Sequence, residues 1–295
     1  MKTASELAPP SSRFSPKSVR PYAVLLLPGR VVARLAWLGK LATFGIETFL
    51  NIPFVLARHR DEVYRLLADV TFGGGLLAVA ASTVLVVFVI AAFVGITIGL
   101  EGYQGLQIIG LAPLAGYLSS YANTREIAPL ITAFGLAAQM GCKFTTQIGA
   151  MRISEEIDAL EVIGVRSLPY LVTTRLVAAL VVVTPLYLIA LSGAYLATQV
   201  TVILVAHQGA GTYQHYFHAF LTAKDVLLSM AKVWVFVVVV TIIHCFYGYN
   251  AVGGPEGVGR AAGRAIRSSI VVIALADMLM TLLFWGTSSG IRFSG

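Results

Sequence analysis

The sequence has 295 residues, of which 57% are hydrophobic and only 12% are charged, and its mean hydropathy is +0.82. Soluble domains carry about 25% charged residues, so this composition excludes an ordinary soluble protein and predicts a membrane protein with several spans. Ten of the 21 basic residues precede position 70, so the net charge of +7 is local and indicates contact with a membrane surface, not with nucleic acid.

The first 70 residues contain a polar tail and then a helical segment with interspersed charges. Residues 1–21 are rich in Pro and Ser and have no apolar stretch like that of a signal peptide, and we predict that residues 1–29 form a disordered cytoplasmic tail. In "RVVARLAWLGKLATFGIETFLNIPFVL", apolar residues recur at helical spacing between Arg34, Lys40 and Glu47. Charges at this density favour an amphipathic helix at the membrane interface over a crossing, and residues 30–70 are predicted to form this helix and a charged link.

Residues 71–290 contain five stretches that are long and apolar enough to cross a bilayer, which takes about 20 residues. The predicted spans are 72–100, 127–151, 170–200, 231–249 and 270–286. The predicted fold class is therefore an all-α integral membrane protein with an N-terminal interfacial amphipathic helix and five transmembrane helices.

The segment 102–123 has two interpretations. It is uncharged but contains Pro113 and several Gly, Ser and Gln residues, so it either re-enters the membrane or crosses it. We favour a re-entrant or surface helix on the outer side, because a crossing would leave only residues 124–126 as the turn before the next span.

The distribution of Lys and Arg indicates the orientation, because cytoplasmic loops are enriched in these residues. With the N-terminus in the cytoplasm, the inner segments hold the basic N-terminal region and six further arginines, Arg152, Arg166, Arg175, Arg260, Arg264 and Arg267. The segment 206–223 on the opposite side has no Lys or Arg. We predict a multi-pass protein of the inner (plasma) membrane with a cytoplasmic N-terminus and an external C-terminus.

The stretch "MRISEEIDALEVIGV" (151–165) concentrates acidic residues between two apolar segments, on the predicted cytoplasmic side. Four carboxylates fall within seven positions, those of Glu155, Glu156, Asp158 and Glu161. Ser154 is the expected N-cap of a short helix whose first turn holds two of these carboxylates, and Gly164 and Pro169 are expected to end it. Ile153, Ile157 and Leu160 lie at helical spacing on one face.

This short helix needs a surface that covers its apolar face. At about ten residues it cannot cross the membrane and would be marginally stable alone. The alternatives are the edge of the bilayer and a protein partner. Because the cytoplasmic leaflet is itself anionic and would repel four carboxylates, a protein partner is favoured.

Lys143 and Asp277 are charged and lie away from the ends of predicted spans, where a charge at the helix centre costs roughly 2.5 to 3.5 kcal/mol on insertion scales. Lys143 either pairs with Gln139 or Gln147 on its own helix or has a functional role. Asp277 lies in the middle of the fifth span and must find a hydrogen-bond donor. A satisfied carboxylate in the bundle interior is favoured over a proton relay.

No catalytic, nucleotide or metal site is predicted on this chain. The motif G-x-x-x-x-G-K-[ST] is absent, and "GVGRAA", which fits G-x-G-x-x-A, follows a predicted membrane helix and not a strand. Cys142 and Cys245 lie in apolar segments as packing residues. His207, His215 and His218 have no carboxylate or thiolate nearby, and the aromatic residues among them favour an interfacial helix over a metal site.

Two blocks of the sequence resemble the MlaE/YrbE family of permeases. The first is "REIAPLITAFGLAAQMGCKFTTQIGAMRISEEIDALEVIGVRSLPYLVTTRL" (125–176), and the second is "YGYNAVGGPEGVGRAAGRAIRSSIVVIALADMLMTLLFWG" (247–286). The resemblance extends over about residues 30–290. The outer segment "GTYQHYFHAFL" is similar to that of B-type YrbE proteins of actinobacterial Mce systems.

The resemblance implies the membrane subunit of an ABC-type lipid transporter. In this family two permeases pair, a cytoplasmic ATPase binds below them with ATP and Mg, and Mce proteins extend outward as a lipid conduit. The expected partners are a second YrbE-type permease, with a heterodimer favoured over a homodimer, the ATPase, Mce proteins and a fatty acid, phospholipid or sterol-type lipid. No cofactor is expected on this chain.

The resemblance also implies roles for individual residues. The segment matching 154–164 is the coupling helix of the family, so contact with the ATPase is expected from Ser154, Glu155, Glu156, Asp158, Leu160 and Glu161. Arg125 and Glu126 match a pair beside the lipid-binding cavity, and Tyr103 matches an aromatic residue near the same place.

Two other functions fit the composition. An ion-coupled secondary transporter would use Lys143 and Asp277 as coupling charges, although such carriers often contain inverted repeats and we find no convincing repeat here. A membrane-embedded lipid enzyme would need a nucleophile or metal constellation near the interface.

Overall fold

The computed structural model describes residues 29–71 and 78–286, and every regular element in these ranges is a helix. The all-α prediction is thus confirmed. The predicted tail up to residue 28, the start of the first predicted span at 72–77 and the C-terminal residues after 286 lie outside the described residues. The helices are α1 (Gly29–Leu50), α2 (Ile52–Arg58), α3 (Arg60–Thr71), α4 (Ala78–Thr97, continued through Ile98–Gly102 to Tyr103–Ile108), α5 (Ala112–Ile153), α6 (Glu156–Val162), α7 (Pro169–Val205), α8 (Ala210–Phe220), α9 (Ala223–Tyr249) and α10 (Gly254–Trp285).

Among the described residues, five helices are long and apolar enough to cross a membrane, which confirms the predicted number: α4, α5, α7, α9 and α10. Ala36–Leu50 and Ile52–Arg58 would together make a sixth, but the chain bends by 43° between them. The bend falls where Pro53 occupies the first turn of α2. The interfacial position predicted for this region stays a prediction. The part of α1 up to Lys40 forms one unit, and the chain from Leu41 onward forms a second.

The segment 102–123 does not form a separate re-entrant helix, since it contains the end of α4 and the start of α5, and its predicted position on the outer side stays a prediction. The turn after α4 is short and contains Gly110 with a φ of +74°, and α5 starts at Ala112 and continues to Ile153. Pro113 does not interrupt α5 because it occupies the first turn, where its missing N–H would have no helical partner. At 42 residues, α5 is about 60 Å long and exceeds the roughly 30 Å hydrocarbon core, so it extends beyond the membrane.

Two other spans also begin earlier than predicted. α9 starts at Ala223, where the Thr222 hydroxyl accepts a hydrogen bond from the Asp225 N–H at 3.2 Å and caps the helix. α10 starts after Gly253, which has a φ of +92°, and its first turns carry Arg260, Arg264 and Arg267, which were predicted to lie in an inner segment before the span. Charged residues marked the predicted membrane boundary, but they did not mark the ends of the helices.

Small residues allow α4 and α7 to pack with their backbones in close contact. A Cβ atom at Gly95 would lie 2.5 Å from the Ala194 carbonyl oxygen. The Thr198 hydroxyl donates a hydrogen bond to the Gly95 carbonyl at 2.9 Å, and it also bonds to the Ala194 carbonyl in its own helix. Small residues commonly form the interfaces between membrane helices because they permit this close approach.

Polar side chains connect α5, α9 and α10 in the interior of the bundle. The Thr145 hydroxyl lies 2.9 Å from His244 Nδ1, and His244 Nε2 lies 3.3 Å from the Ser269 hydroxyl. All three residues are fully buried. Such interhelical hydrogen bonds are each worth about 0.6 kcal/mol on average in a membrane protein, and they fix the register of the three helices.

Candidate functional site

Most of the residues predicted to be functional lie in two regions at opposite ends of the bundle. One is the acidic segment, which we define as residues 154–164 around α6. The other is the charged cluster, which contains five ionisable side chains: Arg125, Glu126, Asp225, Lys232 and Asp277. α5 joins the two regions, since it carries part of the cluster near one end and leads into α6 at the other.

The charged cluster is assembled from α5, α9 and α10. Arg125 and Glu126 lie in a π-helical turn of α5, Asn123–Ile127. Wide turns of this kind are rare and often occur at functional sites, because the extra residue changes the direction of the neighbouring side chains. The turn places two consecutive charged residues against the neighbouring helices α9 and α10.

Lys232 occupies the centre of the cluster. Its side chain is fully buried, and its ammonium group lies 2.6 Å from Asp277 Oδ1 and 3.1 Å from Glu126 Oε2. The same group donates to the Arg125 carbonyl at 2.8 Å and to the Thr281 hydroxyl at 2.7 Å. Thr281 in turn donates to Glu126 Oε1 at 2.7 Å. One ammonium group therefore connects three helices.

Arg125 forms the third ion pair of the cluster. Its guanidinium group lies 3.1 Å from Asp225 Oδ1, which also accepts a hydrogen bond from the Trp285 indole N–H at 2.6 Å. The guanidinium lies over two aromatic rings, 4.3 Å from the centroid of Tyr121 and 5.0 Å from that of Trp285. Aromatic faces and a carboxylate thus surround this cation and compensate for lost water.

The cluster holds three carboxylates and two cations whose side chains are between 0% and 33% exposed. Breaking a buried ion pair is strongly unfavourable, because the remaining charge has no compensation. The side chain of Glu126 is 33% exposed, whereas that of Lys232 is 0% exposed. The cluster can therefore hold the three helices together through Lys232 while its Glu126 edge stays accessible to a polar group of a bound molecule.

The sequence identified only part of this cluster. Asp277 was expected to need a donor, and the structure places Lys232 beside it. Lys232 was missed because it lies at the predicted start of a span, and Asp225 was missed because it lies between the predicted outer segment and that span. A signal was available: Lys232 is the only Lys or Arg between Lys224 and Arg260, and its depth from the end of α9 resembles that of Asp277 from the end of α10.

The other residues predicted for the membrane region are placed elsewhere. Tyr103 is half-buried against a small apolar group formed by Ala115, Val202 and Tyr213. Lys143 is half-buried in α5, just beyond a second π-helical turn, Ala137–Gly141, and its role stays a prediction.

The aromatic segment around the three histidines forms α8, which packs on the first part of α5. The Tyr213 hydroxyl donates to the Ser119 hydroxyl at 2.9 Å. Burial raises the pKa of the Tyr213 phenol, and the bond to Ser119 opposes this change. The described part of the chain contains no group of three or more His, Cys, Asp or Glu side chains that could hold a metal ion.

The acidic segment contains a shorter helix than predicted. α6 covers Glu156–Val162, and Glu155 precedes it with a φ of +61°. Its end was predicted correctly: Gly164 has a φ of +82°, and the Gly164 and Val165 N–H groups bond to the Glu161 and Leu160 carbonyls at 3.0 and 2.9 Å.

Ser154 does not cap α6, which corrects the prediction. The N-cap position is Glu155, and no side chain caps the helix there. The Ser154 hydroxyl bonds to the Ala150 carbonyl of α5 at 3.0 Å and to Glu156 Oε1 at 2.8 Å. Because α5 continues to Ile153, Ser154 lies at the end of that helix and its hydroxyl is directed back to it.

The carboxylates of the acidic segment differ in their contacts. Asp158 forms an ion pair with Arg152 at 2.7 Å. Glu161 Oε1 accepts hydrogen bonds from Ser167 at 2.5 Å and from Tyr249 at 3.4 Å. All four carboxylates are exposed. Asp158 and Glu161 attach α6 to the rest of its own chain, whereas Glu156 accepts a hydrogen bond from Ser154 just before the helix.

The apolar face of α6 also differs from the prediction. Ile157 is fully buried and Leu160 is half-buried, so they pack α6 onto its own chain. The exposed apolar side chains are Ile153, which is 37% exposed, and, after the middle of the helix, Val162 and Ile163, which are 87% and 72% exposed. A helix this short cannot use the same apolar side chains both to pack on its own chain and to contact a partner. Exposed carboxylates and exposed apolar side chains therefore lie together on the acidic segment.

Several of the known proteins that resemble this chain are described as permeases. A family model described as permease MlaE matches residues 73–283. The chain is 29% identical over 197 residues to a probable ABC transporter permease protein of Rickettsia bellii, which covers 65% of this chain and 74% of that protein. It is 29% identical over 220 residues to a probable ABC transporter permease protein of Synechocystis sp., which covers 71% of this chain and 80% of that protein.

A plant protein is also similar. The chloroplastic protein TRIGALACTOSYLDIACYLGLYCEROL 1 of Arabidopsis thaliana is 28% identical over 195 residues. The aligned region covers 66% of this chain and 56% of the plant protein. Its name refers to a galactolipid.

Proposed function

Because the matched region covers most of its length, this chain belongs to the MlaE permease family, and we propose that it is one of two permease subunits in an ABC-type lipid transporter. The chain itself is a multi-pass membrane subunit of the ABC permease type. In the proposed complex a separate ATPase hydrolyses ATP with Mg on the cytoplasmic side, and this chain performs no covalent chemistry.

The acidic segment is the observation that carries the proposal. A short helix between two spans exposes Glu155 and Glu156 together with Val162 and Ile163. An anionic leaflet would repel these carboxylates, and the exposure of the neighbouring apolar side chains to water is unfavourable. A protein surface with basic and apolar groups would pair with the carboxylates and cover the apolar side chains, and an ATPase below the membrane would provide such a surface.

The opposite end of the bundle supports a lipid as the transported molecule. The charged cluster is partly accessible at Glu126, and Arg125 lies beside it within a mostly apolar bundle. A lipid site needs apolar walls and a few polar groups for the head. We place the cluster on the outer side of the inner membrane, where a second YrbE-type permease would pair with this chain and Mce proteins would receive or deliver a fatty acid, phospholipid or sterol-type lipid.

The partners of the chain provide the direct test. The complex would be extracted gently with a tagged form of the full chain, and its proteins and lipids would be identified by mass spectrometry. We expect an ATPase, a second permease and Mce proteins, with a bound lipid. Recovery of the chain alone, under conditions that preserve a known membrane complex, would contradict the proposal and favour an ion-coupled transporter that uses the Lys232–Asp277 pair.

Reversing two of the exposed charges of the acidic segment is expected to release the ATPase. In Glu155→Lys with Glu156→Lys, the basic groups that we expect on the ATPase would meet like charges, and we predict at least about a tenfold loss of co-purified ATPase, since like-charge contacts across an interface cost several kcal/mol. The measurement is the ratio of ATPase to permease after affinity purification.

The control for this variant is Asp61→Lys, which reverses an exposed acidic residue in the first turn of α3. The control should retain the ATPase, and both variants should reach the membrane in the same amount as the wild type. If the double variant also retains the full amount of ATPase, the acidic segment is not the principal contact.

A further inference from the structure

A groove rich in arginine lies where α9 ends and α10 begins. Its volume is about 790 Å³. Seven residues form its walls, namely Val252, Glu256, Gly259, Arg260, Gly263, Arg264 and Arg267. The groove belongs neither to the charged cluster nor to the acidic segment.

Three guanidinium groups dominate the charge of the groove. Arg260, Arg264 and Arg267 are exposed and follow each other at four and three residues, which places them on one face of α10. Arg264 lies over the Tyr247 ring, 5.8 Å from its centroid, and Arg260 pairs with Glu256 at 3.1 Å. The single acidic residue in the groove cannot neutralise three arginines, so the groove has an excess of positive charge.

Two glycines keep the groove open. A Cβ atom at Gly259 or at Gly263 would have no neighbouring atom within 4 Å. The space between the arginines is therefore accessible to another molecule. A phosphate group that entered it could accept paired hydrogen bonds from guanidinium groups, which is the geometry that Arg provides for phosphate.

The arginine face of α10 continues as an apolar face. At further steps of three or four residues α10 carries Val271, Leu275, Met278 and Leu282, which are 47% to 59% exposed. These residues lie in the part of the helix that is apolar enough to cross a membrane. One continuous helical face thus presents three cations and then about three turns of exposed apolar side chains.

We propose that this groove binds the headgroup of an anionic phospholipid from the adjacent leaflet, with the acyl chains along the apolar face of α10. The headgroup phosphate contacts Arg260, Arg264 and Arg267, and the two glycines make room for it. Basic pockets beside membrane helices bind anionic headgroups in this way. An acidic protein segment would match the arginines alone, whereas a lipid matches both the arginines and the apolar face that follows them.

The test compares lipid retention by the full chain, purified with its partners, and by a variant in which Arg260, Arg264 and Arg267 are replaced with Gln. Phosphatidylglycerol or phosphatidylcholine is added in detergent micelles, and bound lipid is counted by native mass spectrometry. We expect the variant to retain phosphatidylglycerol at least about fivefold less well, since each basic residue near a membrane surface contributes to the attraction. Retention of phosphatidylcholine should not change.

The matched control is Arg65→Gln, which removes an arginine whose side chain is 78% exposed in α3. It should retain phosphatidylglycerol like the wild type. Replacing all three groove arginines with Lys keeps the charge but loses the paired hydrogen bonds, so an intermediate loss is expected even if the Gln variant does not fold. Inorganic phosphate should not displace the lipid, because it lacks the acyl chains.

Three results would overturn the proposal. One is equal retention of phosphatidylglycerol by the wild type and both groove variants. Another is displacement of the lipid by inorganic phosphate at the same concentration, which would indicate a site for free anions. The third is loss of a protein partner from the groove variants while lipid retention is unchanged, which would make a protein segment the occupant. None of these results depends on ATPase binding at the acidic segment.

Discussion

Replacing Lys232 with methionine is expected to lower the stability of the folded chain by about 3–5 kcal/mol, because breaking a buried ion pair leaves charges without compensation. The side chain of Lys232 is fully buried and contacts both Glu126 and Asp277. Methionine has a similar length and fills the space, but it provides neither a charge nor a hydrogen-bond donor. The two carboxylates would then face each other and the apolar bundle.

The measurement is the midpoint of thermal unfolding in detergent. In a chain of about this size, a loss of stability of this magnitude lowers the midpoint by roughly 10 °C. Lys224→Met is the matched control, since Lys224 is an exposed lysine in the first turn of the same helix. The control should unfold within a few degrees of the wild type, and a similar loss in both variants would contradict the central role of Lys232.

A triple variant separates charge from packing. Lys232→Met with Glu126→Gln and Asp277→Asn removes the charge of Lys232 and of both carboxylates that pair with it, and replacing a complete buried ion pair with uncharged groups is often neutral. We expect the triple variant to recover most of the stability that the single variant loses. If it unfolds at the same temperature as Lys232→Met alone, the loss comes from packing and the electrostatic account is wrong.

The number of spans, the helical fold and the family followed from composition and from two blocks of sequence. Hydropathy identified all five spans because their centres are continuous apolar runs. The helix ends were less accurate, since α10 begins sixteen residues before the predicted span. Hydropathy detects the part of a helix in lipid, and it carries no information about a helix that continues into water.

The charged cluster shows why the candidate site was only partly predictable. Arg125 and Glu126 were selected through the resemblance, and Asp277 was selected because it is charged within a span. Their connection depends on Lys232, which comes from a different helix and is more than 40 residues from Asp277 in sequence. Helical periodicity indicates which residues share a face of one helix, but the rotation of three helices about one another requires the structure.

The acidic segment shows the same limit on a smaller scale. The prediction assigned one apolar stripe to a partner, although Ile157 is needed to pack α6 on its own chain. In the proposed docking, contact with the partner therefore falls to Val162 and Ile163, which lie at and after the end of the helix. A short helix attached to a large bundle must first bury apolar side chains against that bundle. The sequence alone does not show which apolar side chains pack on the bundle and which are left for a partner.

Replacing Gly95 with leucine is expected to separate α4 from α7 and to lower stability by about 3 kcal/mol or more, at the upper end of the usual effect of overpacking. A Cβ atom at this position would already lie 2.5 Å from the Ala194 carbonyl oxygen and 3.1 Å from the Ala194 Cα and the Ala197 Cβ. Because most of these neighbours are backbone atoms, a change of rotamer cannot relieve the contact. The helices would have to move apart, which would also break the hydrogen bond from Thr198 to the Gly95 carbonyl.

Gly105→Leu provides the matched control, because a Cβ atom at Gly105 on the same helix would have no neighbour within 4 Å. Both variants add the same apolar side chain and improve helix propensity equally, so a difference between them reports only the close approach of α4 and α7. We expect Gly95→Leu to unfold roughly 10 °C below Gly105→Leu in detergent, and Gly95→Ala to fall between them, since a single methyl group already meets the Ala194 backbone. If Gly95→Leu and Gly105→Leu unfold at the same temperature, the backbones of α4 and α7 are not in contact at Gly95, and the helix pair must be packed in another register.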